Sequence, residues 1–176
     1  MRFSIHGPFK LLKYGKTIDH RNEAKKIFWK EVDQNEALST GCGCYLFAMR
    51  AGRGVTPWYV GKAEKQKFYS EVFGSHKLTI YGSVIANQKG TPLIFLIAKR
   101  SSSKNKLSKP TKNKNGDAFI NDLEILLMGA ALKKNKKLSN IKNSVTIRNL
   151  IVPGFINSTH GANHGSVRAF IGALTR

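Results

Sequence analysis

Acidic residues are scarce in this chain. Against 30 Lys and Arg stand only 10 Asp and Glu, which leaves a formal net charge of +20 over 176 residues. Charge of one sign on that scale makes a compact state repel itself, and a polyanion relieves the repulsion. Nucleic acid is the expected polyanion, since released counterions drive its association with lysine and arginine. Long apolar runs are also lacking. The longest apolar patch, Leu93 to Ala98, suits a strand and is far too short to span a bilayer. No basic amphipathic helix with an aromatic face is present to lie on an anionic membrane, so no membrane partner is expected. The opening Met1-Arg2-Phe3-Ser4 lacks the apolar core of a signal peptide, and a cytoplasmic location is expected. The only cysteines, Cys42 and Cys44, sit one residue apart. Such a pair makes neither a disulfide framework nor a four-ligand zinc site, and buried reduced thiols are expected. There is no internal repeat.

What is present suits one folded domain. Hydrophobic residues make up 41% of the chain, enough to build a core and too many for disorder. The stretch to about Thr17 reads as an extended segment and a turn. Asp19 reads as a cap for a helix over His20 to Val32, with Ala24, Ile27, Phe28 and Val32 on its apolar face. Cys44 to Met49 is apolar and aromatic and reads as a buried strand. A turn at Gly52, Arg53 and Gly54 leads to a second strand at Trp58, Tyr59 and Val60. A helical stretch follows over Lys65 to Asn87, with breaks expected near Gly74 and Gly82. Leu93 to Lys99 is the third strand. Ser101 to Asn115 carries five lysines and no acid, and reads as a mobile basic loop. Asp117 caps a helix over Ala118 to Lys134, whose expected core face holds Phe119, Leu123, Leu126, Leu127, Ala130 and Ala131. A strand at Val145 to Ile147 and a helix at Ala162 to Leu174 complete the expectation. The fold class is therefore α+β, with a small, mainly antiparallel three-stranded sheet flanked by helices. Residues 1–39 are expected as an N-terminal helical extension, 40–143 as the main domain and 144–176 as a C-terminal extension.

Two tripeptides stand on the predicted hairpin. Gly43-Cys44-Tyr45 enters its first strand, and Tyr59-Val60-Gly61, followed by Lys62-Ala63, leaves its second. Later, Glu124 lies in an apolar helix, and Leu138-Ser139-Asn140 follows that helix. This ordered set resembles the GIY-YIG nucleases over roughly residues 40–143. The resemblance implies a DNA endonuclease with Tyr45 as general base, Tyr59 orienting water or phosphate, Glu124 binding one Mg²⁺ or Mn²⁺, and Asn140 closing the motif. DNA is the implied partner, with RNA as a second option. Asn140 is read either as a hydrogen-bonding brace for the metal site or as a helix-end cap. Gly61 either lets the DNA backbone approach closely or simply permits a turn.

The chemistry suits these residue types. Phosphodiester hydrolysis needs an activated water, a Lewis acid and cations for the developing charge. A single carboxylate can hold a hard divalent cation whose other positions are filled by water and phosphate. A phenol with pKa ~10 serves as a base only beside positive charge, which Lys62 could supply. Tyr45 and Tyr59 also read, without any chemistry, as core rings with their hydroxyls at the rim. The pattern departs from the family at one point: no Arg occurs between Arg53 and Arg100, where the family places one on the helix after the second tripeptide. Lys77, four residues before Tyr81, or Lys67, four before Glu71, could take its place, and His76 adjoins the first of these. Lysine lacks the planar fork of arginine, so a catalytically impaired nucleic-acid-binding protein of the same fold is the alternative reading. His160 and His164, four apart among glycines with no acid beside them, do not read as a zinc site.

Overall fold

The apolar run Cys44 to Met49, read as a buried strand, forms part of the middle of the sheet. The computed structural model describes residues 2–101, 105–140 and 173. The chain divides into two units, Met1–Asn140 and Ile141–Arg176, and the account that follows concerns the first. Strand β1 (Arg2–Lys10) opens it, followed by a small ribbon of β2 (Lys13–Tyr14) and β3 (Thr17–Ile18), helix α1 (Asn22–Val32), and a short 3₁₀ turn at Leu38–Thr40. The hairpin of β4 (Gly43–Ala51) and β5 (Gly54–Ala63) comes next. Helices α2 (Phe68–Glu71) and α3 (Ser75–Asn87), strand β6 (Thr91–Arg100) and helix α4 (Ala118–Lys134) complete the order. The expected strand at Val145 to Ile147, the histidines His160 and His164 and, Ala173 apart, the helix at Ala162 to Leu174 lie outside the described residues.

The sheet has four strands in the order β1-β6-β4-β5, and every neighbouring pair is antiparallel. Three were expected. The missed strand, β1, is an edge strand with most of its residues partly exposed, so it lacks clean apolar alternation. Gly7 and Pro8 also interrupt its register with β6 between His6 and Phe9, because proline brings no N–H to the ladder. Within the hairpin, Phe47 faces Tyr59 and Ala48 faces Pro57, so Trp58 is the extra residue of a bulge.

Alternation along the strands sends side chains to two different cores. Tyr45, Phe47, Met49, Tyr59, Ile94 and Leu96 bury against Phe28, Trp29 and Val32 of α1 and against Phe68, Val72, Phe73 and Tyr81 around α2 and α3. On the opposite face Val60 packs on Met128, Ala131 and Leu132 of α4, while Cys44 and Ile97 pack on Ile120. The sheet is thus the middle of three layers. Both cysteines are buried free thiols, and burial pushes that of Cys42 up to about 11.

Several local expectations shift. Helix α1 starts at Asn22 without a side-chain cap, because Asp19 instead binds the Arg21 backbone and guanidinium. The chain does break at Gly74, but Gly82 stays inside α3, where a Cβ would stand 3.2 Å from Thr17 Oγ1. Asp117 caps α4 as expected, accepting from the Ile120 N–H at 3.2 Å. The expected core face of α4 holds in part: Ala131 is buried and Leu123 and Leu127 pack against the core, but Phe119, Leu126 and Ala130 are exposed, and Ile120, Met128 and Leu132 are buried instead. That helix is apolar nearly all round, so spacing alone could not choose its inner side. Among the described residues no helix is long and apolar enough to cross a membrane.

Candidate active site

The site forms around the last turn of β5, at one edge of the sheet. Tyr45 pairs across the hairpin with Gly61, and Phe47 with Tyr59, which puts the two tyrosines on one face in diagonal contact. Their ring centroids are 6.1 Å apart. Tyr81 arrives from α3, stacked on Phe47 at 4.3 Å and edge-on to Tyr59 at 6.0 Å. Gly61 is the residue that lets these rings settle. A Cβ there would lie 2.4 Å from Tyr45 Cζ and 2.7 Å from Tyr59 Cε1. The need for glycine comes from the tyrosines themselves.

The three phenols differ in access. Tyr45 and Tyr81 are fully buried, and neither hydroxyl has a hydrogen-bond partner among the described residues. Burial pushes both well above the ordinary phenol range. Tyr59 is buried as well, but retains 7% exposure. Burial raises its phenol too, but the Lys77 ammonium acts against that rise.

Two lysines hold the surrounding charges. Lys77 of α3 pairs with Glu71, at the end of α2, at 3.1 Å. Burial works against the Lys77 charge, yet Tyr59 and Glu71 outweigh it and its net shift is upward. On the other face of the sheet, Lys62 lies 3.4 Å from Glu124 and 3.3 Å from Glu64, and also donates to Asn121 Oδ1. Burial raises the Glu124 carboxyl above the usual carboxylate range, with Lys62 opposing and Lys77 also within electrostatic reach. Glu124 and the tyrosines thus belong to opposite faces of the sheet. The Glu124 charge nonetheless acts on Tyr59, in the direction that raises its phenol.

Among the described residues Asn140 hydrogen-bonds neither to a helix end nor to a carboxylate. Its Oδ1 accepts from the Val60 N–H at 3.1 Å and its Nδ2 donates to the Val60 carbonyl. With Ser139 N donating to Trp58 O at 2.8 Å and Asn135 Nδ2 to Pro57 O at 2.7 Å, the chain after α4 covers the outer edge of β5.

Tyr45, Tyr59, Tyr81 and Lys77 thus lie on the face of the sheet that α2 and α3 cover, beside Gly61, and Lys62 and Glu124 lie on the other, with Asn140 bracing β5 at Val60. Lys67, at the N-terminus of α2, and His76, on the outer side of α3, are both exposed, and neither shares an ion pair with these groups among the described residues. Sequence reasoning missed Glu64, Glu71 and Asn121. Glu64 was within reach of a period-two argument, since alternation puts it on the same face as Lys62. Glu71 was visible only as a helical neighbour of Lys67, whereas its partner lies across the turn between α2 and α3.

Glu124 is the carboxylate of this site that could hold a hard cation, and in the structure it is paired with Lys62 at 3.4 Å. Glu124 offers a half-buried carboxylate, and among the described residues no three His, Cys, Asp or Glu side chains gather into a fuller metal cage. No protein-family model, curated protein or solved structure matches this chain.

Proposed function

We propose that this chain is a metal-dependent nuclease of the GIY-YIG kind that hydrolyses phosphodiester bonds in DNA. The observation that carries the reading is that Tyr45 and Tyr59 close on Gly61 on one face of β5, while Lys62, the next residue, pairs with Glu124 at 3.4 Å on the other.

Glu124 would hold Mg²⁺ or Mn²⁺, which bound there supplies Lewis acidity to a phosphate oxygen. Lys62 and Lys77 offer two ammonium groups for the charge that builds on the phosphoryl oxygens. Tyr59, as its phenolate, takes the proton of the attacking water; it is the least buried of the three tyrosines, and the Lys77 ammonium favours its ionised form. An ordinary phenol, pKa ~10, is ionised to about one part in a thousand at pH 7. Burial lowers that fraction further, so the role depends on all the positive charge the site assembles. Tyr45, sealed beneath Gly61, supports the Tyr59 ring in this scheme.

A second reading has its own motive: Lys62 already neutralises Glu124, and lysine replaces the expected arginine. In that reading the chain binds DNA and does not cut it. Cleavage of supercoiled plasmid with Mg²⁺ or Mn²⁺ separates the two. The nuclease cuts, and Glu124→Gln or Tyr59→Phe slows cutting by roughly 10²–10⁴-fold while DNA binding persists. Tight binding with no metal-dependent cutting by the unaltered protein establishes the second reading.

A further inference from the structure

We propose that residues 105–116 form a docked lysine arm that follows the phosphate backbone of a DNA duplex beside Glu124, and that Glu64 is the residue that positions this arm. The inference rests on the nuclease reading for the identity of the polyanion.

The segment expected to be a mobile loop is fastened along its length. Leu107 bridges to Arg100, and Ser108 N donates to Lys99 O at 2.9 Å. The Leu107 side chain packs on the core beside Gly41. Thr111 N donates to the Glu64 carbonyl at 2.8 Å, and Asp117 N donates to Glu64 Oε2 at 2.9 Å. Gly116, with φ of +78°, lies directly under that carboxylate, where a Cβ would stand 2.3 Å from Glu64 Oε2. Lys65 Nζ binds the Lys114 carbonyl at 2.8 Å. Glu64 is therefore bonded to both ends of the segment 111–117, and its other oxygen holds Lys62, which in turn holds Glu124.

What the arm presents is uniformly positive. Lys106, Lys109, Lys112 and Lys114 are exposed, form no ion pair among the described residues, and have no acidic residue between them. Surface lysines scattered over a protein contribute little. Here the backbone that carries them is already ordered, so the entropy of arranging them is spent on folding rather than on binding. Lys109 to Lys114 can span no more than about 17 Å of chain, so the arm faces no more than about five base pairs at roughly 3.4 Å each.

The test uses the full chain. In Lys109/Lys112/Lys114→Ala, the slope of log affinity against log salt for a DNA duplex is expected to fall by about 2–3, and the loss in kcat/KM to lie in KM. Glu64→Ala keeps every lysine of the arm and the Thr111 bond to the residue-64 carbonyl, but removes the carboxylate that accepts from Asp117 N at the arm's far end and holds Lys62. It is expected to raise KM in the same direction and to speed trypsin cutting after Lys112 and Lys114, since Pro110 protects the bond after Lys109. An unchanged salt slope in the triple variant overturns the arm. Unchanged trypsin cutting in a folded Glu64→Ala protein overturns the role of Glu64. A slope change confined to RNA duplexes overturns the assignment to DNA. Failure of the unaltered protein to cut, with the slope change intact, overturns the nuclease reading and leaves the arm standing.

Discussion

Gly61 shows how a single residue decides whether the site exists. Its missing side chain is the space in which Tyr45 and Tyr59 lie. Gly61→Ala forces a methyl group into those rings, and overpacking of this kind costs about 1–3 kcal/mol. Chemical denaturation is expected to report that loss, together with weakened cleavage, because Tyr59 must move. Glu124 carries the opposite signature. Burial penalises its charge in the folded state, so the folded protein holds its carboxyl proton more tightly than the unfolded chain. Stability from this group is whole below the ordinary glutamate range and declines as pH rises through the higher folded value. A second titrating residue lies away from the site. Burial and the neighbouring Arg100 guanidinium lower His6, with Glu36 opposing, within a group where Arg100 also binds Ser4 at 2.7 Å and Glu36 at 2.5 Å. The folded protein then binds the imidazole proton less tightly than the unfolded chain. Stability is whole above the ordinary histidine value of 6.5 and falls as pH drops below it. Melting temperatures measured between about pH 7.5 and 5 are expected to decline in the unaltered protein and to flatten in His6→Gln. Equal slopes in the two proteins would remove His6 from this account.

Among the elements, β5 is the one on which most depends. Its inner edge pairs with β4, and its outer edge is closed by three side-chain or backbone donors from residues 135–140. Asn140 satisfies both polar groups of the buried Val60 backbone. Asn140→Ala leaves an N–H and a carbonyl without partners, at roughly 1–3 kcal/mol for each buried group so orphaned. The expected result is a loss of stability at the lower end of that range or beyond it, and faster amide exchange at Val60 than at residues of β4. Protection at Val60 equal to that of the unaltered protein would show that another donor closes the edge. The same strand then turns from edge closure to anchoring: beyond Ala63, Glu64 and Lys65 fasten the segment that leads into α4. Helix α4 in turn brings Glu124 over the face that bears Lys62. Strand β5 and helix α4 thus fix each other, and the site is the place where they do so.

At the scale of the whole molecule the net charge of +20 dominates. Raising salt from 10 to 150 mM shortens the screening length from about 30 Å to about 8 Å, which weakens repulsion among the exposed lysines. The melting temperature is therefore expected to rise over that range. A short DNA duplex at low salt is expected to raise it further, in proportion to the logarithm of its concentration above Kd. A melting temperature that falls with added salt would mean that the attractive ion pairs, Lys62 with Glu124 and Lys77 with Glu71 among them, outweigh the repulsion.

The sequence alone settled what depends on neighbours along the chain. The β4–β5 hairpin, the break at Gly74, the Asp117 cap and the buried cysteines follow from local alternation, backbone freedom and hydrogen bonding within a few residues. So does the placing of Tyr45 and Tyr59 on one face, which needs only the period of a strand. The tertiary structure decided the rest. It added β1 to the sheet, a half-exposed edge strand without clean alternation, and it chose the inner side of an α4 that is apolar all round. It also selected Lys77 over Lys67 as the amine beside Tyr59, turned Asn140 into a brace for β5, and joined Glu64 to a segment some 50 residues later. Each of these outcomes rests on contact between segments far apart in sequence, and periodicity within one segment carries no information about which other segment will cover it.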